Sequence, residues 1–222
     1  KKLGLSNTDI ALYTSWLYLP WVIKPLWSPI VDIFRTKRFW IVTMQLLIGA
    51  GLAGVAFTIP SSDPLKYTMA LFWLLAFSSA THDIAADGFY MHALSSHDQA
   101  WMIGIRNTFY RFAILFGQGL LVMFAGMMEF WTGNVTTAWS VTFGVLAGLF
   151  IIFSIYHRWM LPVPSSDYKH SNLKLSEAVR NFIQVFISFF KKPKISLVII
   201  FILFYRFGEA QLVKIAPLFI LD

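Results

Sequence analysis

Cysteine is absent from the 222-residue chain. That excludes thiol catalysis and Cys-bound metals, and disulfides offer no clue to compartment. Charge is scarce: Asp, Glu, Lys and Arg together make up 13%, against about a quarter in ordinary soluble domains. Short strands of alternating polar and apolar residues, the mark of a membrane barrel, are missing as well. No cleavable signal pattern opens the sequence. Its first residue, Lys1, is not Met, so the chain is expected to be a fragment.

What is abundant is apolar surface. Hydrophobic residues make up 57% of the chain, more than a water-soluble fold of this size can hide. Runs of roughly 20 apolar residues recur, each long enough to cross a hydrocarbon core of about 30 Å. Helices suit such runs because each satisfies its own backbone hydrogen bonds. Hydropathy and turn-rich breaks predict six spans: Ile10–Val31, Phe39–Ile59, Tyr67–Ala93, Trp101–Met127, Ala138–Tyr156 and Ile195–Leu221. The expected fold class is all-α, a polytopic membrane helical bundle.

A net charge of +7 is compatible in principle with nucleic-acid binding, but its placement argues for a membrane. Arg35, Lys37 and Arg38 follow the first span, and Arg158, Lys169, Lys174, Arg180, Lys191, Lys192 and Lys194 follow the fifth. Loops between spans on the opposite side hold only Lys66, with Lys1 and Lys2 at the start. The basic loops should be cytoplasmic, so the first span runs from outside to inside. The expected partners are the lipid bilayer and a small-molecule solute, without nucleic acid, metal or cofactor. In the long basic loop, Leu175, Ala178, Val179, Phe182, Ile183, Phe186, Phe189 and Phe190 recur at helical spacing. They read as an amphipathic helix on the inner leaflet, or as a linker packed on cytoplasmic helix ends.

Charges inside a membrane are costly and normally face the protein interior or a water-filled path. The first span holds Lys24, the third Asp83 and Asp87, the fourth Arg106 and Arg111, and the sixth Arg206, Glu209 and Lys214. The second and fifth spans carry none. Gly49, Gly51 and Gly54 in the second, and Gly144 and Gly148 in the fifth, suit close helix packing. Charge-free helices thus recur every third span, as expected if three-helix units repeat with a peripheral third helix. On that pattern one span is missing from the start of the chain.

Asp83 and Asp87, four residues apart, share one helix face. Two carboxylates so placed do not both ionise cheaply unless a cation or a proton is shared. Lys24, Arg106 and Arg111 are available as partners, either as a static ion-pair cluster or as a solute and proton site. Two enzyme patterns also overlap here. His82 and Asp87 fit an H-x4-D acyltransferase spacing, and Asp83 and Asp87 fit the D-x3-D of intramembrane transferases. The first usually lies at an interface, and the second needs further acidic metal ligands that this chain does not supply as a second D-x3-D. No enzymatic activity is therefore expected.

Four segments resemble one family. Pro20 to Asp32 (PWVIKPLWSPIVD) is similar to the second helix of AmpG-type muropeptide permeases, whose pattern is approximately F/L-K-x-L-W-S-P-L-x-D-R. Ala80 to Asp87 (ATHDIAAD) resembles their A-T-Q-D-I-x-x-D, with His82 where Gln is usual. Tyr110 and Arg111 look like a Y-R pair of the next helix, and Tyr205 to Ala210 (YRFGEA) is similar to Y-K-L-G-D-A of the seventh. The motif joining the second and third helices is degenerate: Ser28 and Asp32 fit G-x-x-x-D-R-x-G-R-R loosely, and Ile33 replaces its Arg.

The resemblance implies a major-facilitator-type fold, in which the six spans correspond to helices 2–7 of twelve. Residues 1–161 would then be most of the N-terminal half, 162–194 a cytoplasmic linker with its amphipathic helix, and 195–222 the first helix of the C-terminal half. It further implies a monomeric inner-membrane carrier that imports anhydromuropeptides by alternating access, driven by protons. Eukaryotic acetyl-CoA transporters resemble the same family, and carriers of another sugar, drug or acetyl-CoA-like anion stay open as alternatives. Asp83, Asp87 and Glu209 are the proton-coupling candidates. Lys24, Arg106, Tyr110, Arg111, Tyr205 and Arg206 are the solute-binding candidates, and Trp16, Trp21 and Tyr110 could stack on sugar faces. Asp32, Arg35, Lys37 and Arg38 are candidates for the cytoplasmic gate, with Asp32 capping or pairing across a helix end. Gly208 marks a place where the sixth span could unwind around a solute.

Overall fold

The computed structural model describes residues 6–61, 63–164, 167 and 175–220, with side chains described for all of these except 33, 175, 178, 185, 206 and 209–220. Lys1, Lys2, Lys169, Lys174 and Leu221, named above, lie outside the described residues. Every regular element among the described residues is helical. The chain divides into two compact units, Lys1–Leu19 with Leu173–Asp222, and Pro20–Asn172.

The first unit holds α1 (Asn7–Trp16) together with the two helices at the end of the chain. A reciprocal capping box starts α1: Ser6 Oγ accepts from the Asp9 N–H at 3.1 Å, and the Asp9 carboxylate accepts from the Ser6 N–H at 3.4 Å. The amphipathic stretch of the basic loop is a helix over Leu175–Phe190. Its Phe182, Phe186 and Phe190 rings succeed one another at 5.7 and 5.3 Å, the spacing of one helical face. After Lys194, at φ 60°, the terminal helix runs over Ile195–Ile220. It is continuous through Gly208. Among the described residues, nothing lies within 4 Å of a Cβ added at Gly208.

The second unit begins with a broken span: α2 (Leu19–Ile23), a 3-10 turn (Lys24–Leu26) and α3 (Ser28–Ile33). The sequence predicts one continuous helix over 10–31, but Pro20, Pro25 and Pro29 each lack an amide donor and crowd the preceding turn. There follow α4 (Lys37–Thr58), α5 (Pro64–Ala93), α6 (Ser96–Leu115), a π-helical turn (Phe116–Leu120), α7 (Leu121–Thr132) and α8 (Val135–Met160). Among the described residues, four helices are long and apolar enough to cross a membrane: α4, α5, the run Ser96–Thr132 and α8. The α7–α8 turn rests on Gly133, whose φ of 65° suits a residue without Cβ, and on Asn134, whose side chain caps Thr137 at 3.1 Å.

Within this unit α4 is enclosed on both sides, by α8 and by α5. Its glycines make that possible. A Cβ on Gly49 would sit 2.9 Å from Ile151 Cγ1 and 3.2 Å from the Ala147 carbonyl oxygen, and one on Gly51 would sit 2.8 Å from Leu75 Cδ2. The lack of charge in α4 thus accompanies tight packing on α5 and α8. Among the described residues, nothing lies within 4 Å of a Cβ added at Gly144 or Gly148 of α8. We predict that Gly49→Val lowers the stability of the full-length protein by about 1–3 kcal/mol through overpacking. Gly148→Val should leave the melting temperature in detergent unchanged, and equal losses in the two variants would contradict the packing account.

Candidate functional site

Pro25 follows Lys24 directly and helps hold this part of the first span as a 3-10 turn, from which the lysine reaches α5. Lys24 Nζ lies 2.7 Å from Asp83 Oδ2, both groups about one third exposed. Trp27 strengthens the seam against α5: its Nε1 donates to Thr81 Oγ1 at 3.2 Å, and its ring meets Phe77 at 5.5 Å. Apolar surroundings around a polar pair of this kind strengthen the attraction and make either partner costly to leave alone.

One turn further along α5, Asp87 pairs with Arg106 of α6. The position of Arg106 follows from how α6 begins. Ser95 caps it by accepting from the Asp98 N–H at 3.2 Å, and the Gln99 amide donates back to the Met91 and Leu94 carbonyls at 3.2 and 3.0 Å. Two turns later the guanidinium faces Asp87 and also lies over the Tyr90 ring, 5.7 Å from its centre. Asp83 and Asp87 are therefore neutralised by cations from two different helices, so α5 presents two adjacent ion pairs.

Arg111 is not brought to either carboxylate. It lines an open groove on α6 with Asn107, Tyr110, Ile114 and Leu115, and among the described residues it has no carboxylate within ion-pair distance. A π-helical turn follows at Phe116–Leu120; such turns often accompany functional sites because they re-aim side chains. Trp16 and Trp21 are exposed. Tyr205 belongs to the other unit, stacked on Phe201 at 6.2 Å. The side chains of Arg206 and Glu209 fall outside the described ones.

Beside Asp87, around Gly88 of α5, the four gate candidates have distinct settings. Lys37 is 3% exposed; its ammonium pairs with Asp32 and donates to the Val31 carbonyl at 3.2 Å. Its stem occupies the space left by Gly88, where a Cβ would lie 2.7 Å from Lys37 Cε. Arg38 donates to the Arg158 carbonyl. Arg35 adopts φ 70° and lies over the Phe39 ring at 5.7 Å. Sequence reasoning missed Asp167, buried at 4% exposure, which accepts the Lys37 backbone N–H at 2.7 Å and so caps α4. It also missed Gln45 and His157, joined at 2.9 Å between α4 and α8. No spacing rule links residues that far apart in the chain.

A broken, charge-bearing helix beside a long helix with two paired carboxylates, all within apolar spans, defines a polytopic membrane protein with an internal polar seam. The whole chain, residues 1–222, matches the model of the Major Facilitator Superfamily, and the protein belongs to that family. It is 26% identical over 206 residues to an anhydromuropeptide permease of Escherichia coli (strain K12), covering 90% of this chain and 39% of that protein. It is 24% identical over 229 residues to a candidate transporter called AmpG 4 in Rickettsia conorii, covering 98% of this chain and 53% of that protein. A Schizosaccharomyces pombe protein of uncharacterised function is 29% identical over 124 residues, 49% of this chain and 24% of its own length. The chain thus spans about half, or less, of the curated relatives it matches. No solved structure matches it. The fold is accordingly a partial helical bundle of the Major Facilitator type, and the named relatives are carriers rather than enzymes.

Proposed function

We propose that this chain is part of a secondary transporter that imports an anionic, muropeptide-like solute across the inner membrane by alternating access, with protons supplying the drive. The observation that carries this reading is the pair of ion pairs on one face of α5, Lys24 with Asp83 and Arg106 with Asp87. Each sets a cation that can take a carboxylate against an acid that holds it until a proton arrives. Arg111 in its open groove offers a further bidentate anion site, with Tyr110 beside it for a sugar face. Residues 1–161 belong to the N-terminal half in this reading, and 195–222 open the C-terminal half, bringing Tyr205, Arg206 and Glu209. The basic loops after Val31 and after Tyr156 are cytoplasmic, and Asp32, Arg35, Lys37 and Arg38 act at that face. The named permease among the relatives supports the choice of solute.

The test is uptake of a labelled anhydromuropeptide by the full-length protein in proteoliposomes with an imposed proton gradient. Arg111→Gln and Asp87→Asn should each cut uptake about tenfold or more, a loss of roughly 1.4 kcal/mol of stabilisation. Undiminished uptake in both variants would remove the polar seam from the mechanism. Reporter tags inserted after Asp63 and after Val163 should report opposite sides, with the second one cytoplasmic.

A further inference from the structure

A second polar patch lies behind the ion pairs, in the same unit. His82 Nε2 is buried and has no hydrogen-bond partner among the described residues. On α8, His157 Nδ1 lies 2.9 Å from Oε1 of Gln45, which α4 buries. His82 adjoins Asp83 in the chain, and Asp83 holds Lys24 at 2.7 Å. The charged and titratable groups facing His82 are Asp83 on its own helix, Lys24 of the 3-10 turn through Asp83, and His157 on α8. From α4 comes the uncharged Gln45, bonded to His157.

A buried imidazole with an unpartnered ring nitrogen forgoes a hydrogen bond while neutral. Protonated, it becomes a cation next to a carboxylate, and histidine is the side chain that makes this change near neutral pH. The added cation then competes with Lys24 for Asp83 through a low-dielectric medium, where such competition is strong. We propose that His82 is a proton-loading site, and that taking a proton there loosens Lys24 from Asp83 and frees its ammonium for a carboxylate of the solute. For its solute this rests on the transport reading above; for its proton it does not.

Charge balances at each step. The proton adds one positive charge at His82, the solute carboxylate adds one negative charge at Lys24, and Asp83 stays ionised throughout. Loading is therefore electroneutral, one proton for each carboxylate. On release of the solute, Lys24 returns to Asp83 and the imidazolium gives up its proton. A lysine suits the exchange because its ammonium is a compact charge on a flexible stem, with no fixed bidentate fork to break.

The experiment has two arms, both on the full-length protein. Without any solute, infrared difference spectra of protein with ring-15N histidine are recorded between about pH 8 and about pH 5.5. The imidazolium band that forms sums over all the histidines, of which this chain holds five; it should lose one histidine's share in His82→Gln, and that share should remain in His157→Gln. In weakly buffered solution with a pH dye, the GlcNAc–anhydromuramic acid disaccharide should bind with uptake of about one proton by the native protein and none by His82→Gln. An unchanged band in His82→Gln, or proton uptake on binding by that variant, overturns the proposal. A His82-dependent band with no binding of the disaccharide overturns the choice of solute instead and leaves the proton site standing.

Discussion

Lys24→Met in the full-length protein is expected to lower solute uptake at least about tenfold, and adding Asp83→Asn should restore abundance and melting temperature without restoring uptake. The single change leaves Asp83 without its counter-ion. Breaking a pair from one side is destabilising because the remaining charge loses its counter-ion. The double change removes both charges and leaves two neutral side chains of similar volume, which a membrane interior tolerates. Stability and transport are thereby separated. If Lys24 and Asp83 only held the broken first span against α5, the double variant would regain transport along with stability. Trp27 would then suffice as the anchor, through Thr81 and Phe77. If the pair also exchanges partners during the cycle, the double variant folds and carries nothing. Measuring uptake beside thermal unfolding for the two singles and the double decides between these outcomes, and full recovery of uptake in the double would sink the exchange.

How much of this was legible in the sequence differs from residue to residue. The four-residue spacing of Asp83 and Asp87 announces a shared helix face, because helix periodicity is a local property. Lys24 and Arg106 could be named as partners only as members of a short list. Which acid each one meets depends on the 3-10 turn at Lys24–Leu26 and on the cap at Ser95, neither of which hydropathy records. The apolar run through Pro20, Pro25 and Pro29 reads as one helix. Hydropathy averages over the breaks that backbone donors impose. Gly49 and Gly148 look alike in sequence, and only the approach of Ile151 tells them apart. Gln45, His157 and Asp167 carried no signal, since their partners are set by tertiary packing across α4 and α8.

A second large effect is expected at the N-terminal end of α4. Lys37→Met should lower the melting temperature of the full-length protein by the equivalent of about 1–3 kcal/mol, the cost of leaving a donor's buried partners unpaired. The ammonium is the shared donor for Asp32 and the Val31 carbonyl, so its loss frees the end of α3 from the start of α4. Lys37→Arg should not rescue the loss. The stem runs through a slot that exists only because Gly88 has no side chain, and a planar guanidinium is wider than an ammonium. Asp167→Ala acts on the same first turn from the other side, by uncovering the Lys37 N–H that Asp167 accepts at 2.7 Å. Loss of such a cap costs about 1 kcal/mol. Both changes loosen one turn, so their effects should be less than additive in the double variant, as expected for contacting residues. Strict additivity would mean that the Asp32 pair and the Asp167 cap act independently. Transport should fall in both singles, because loop 32–38 and residue 167 then no longer move as one piece with α4. Unimpaired uptake in a Lys37→Met protein whose melting temperature has dropped would confine this clasp to holding the fold.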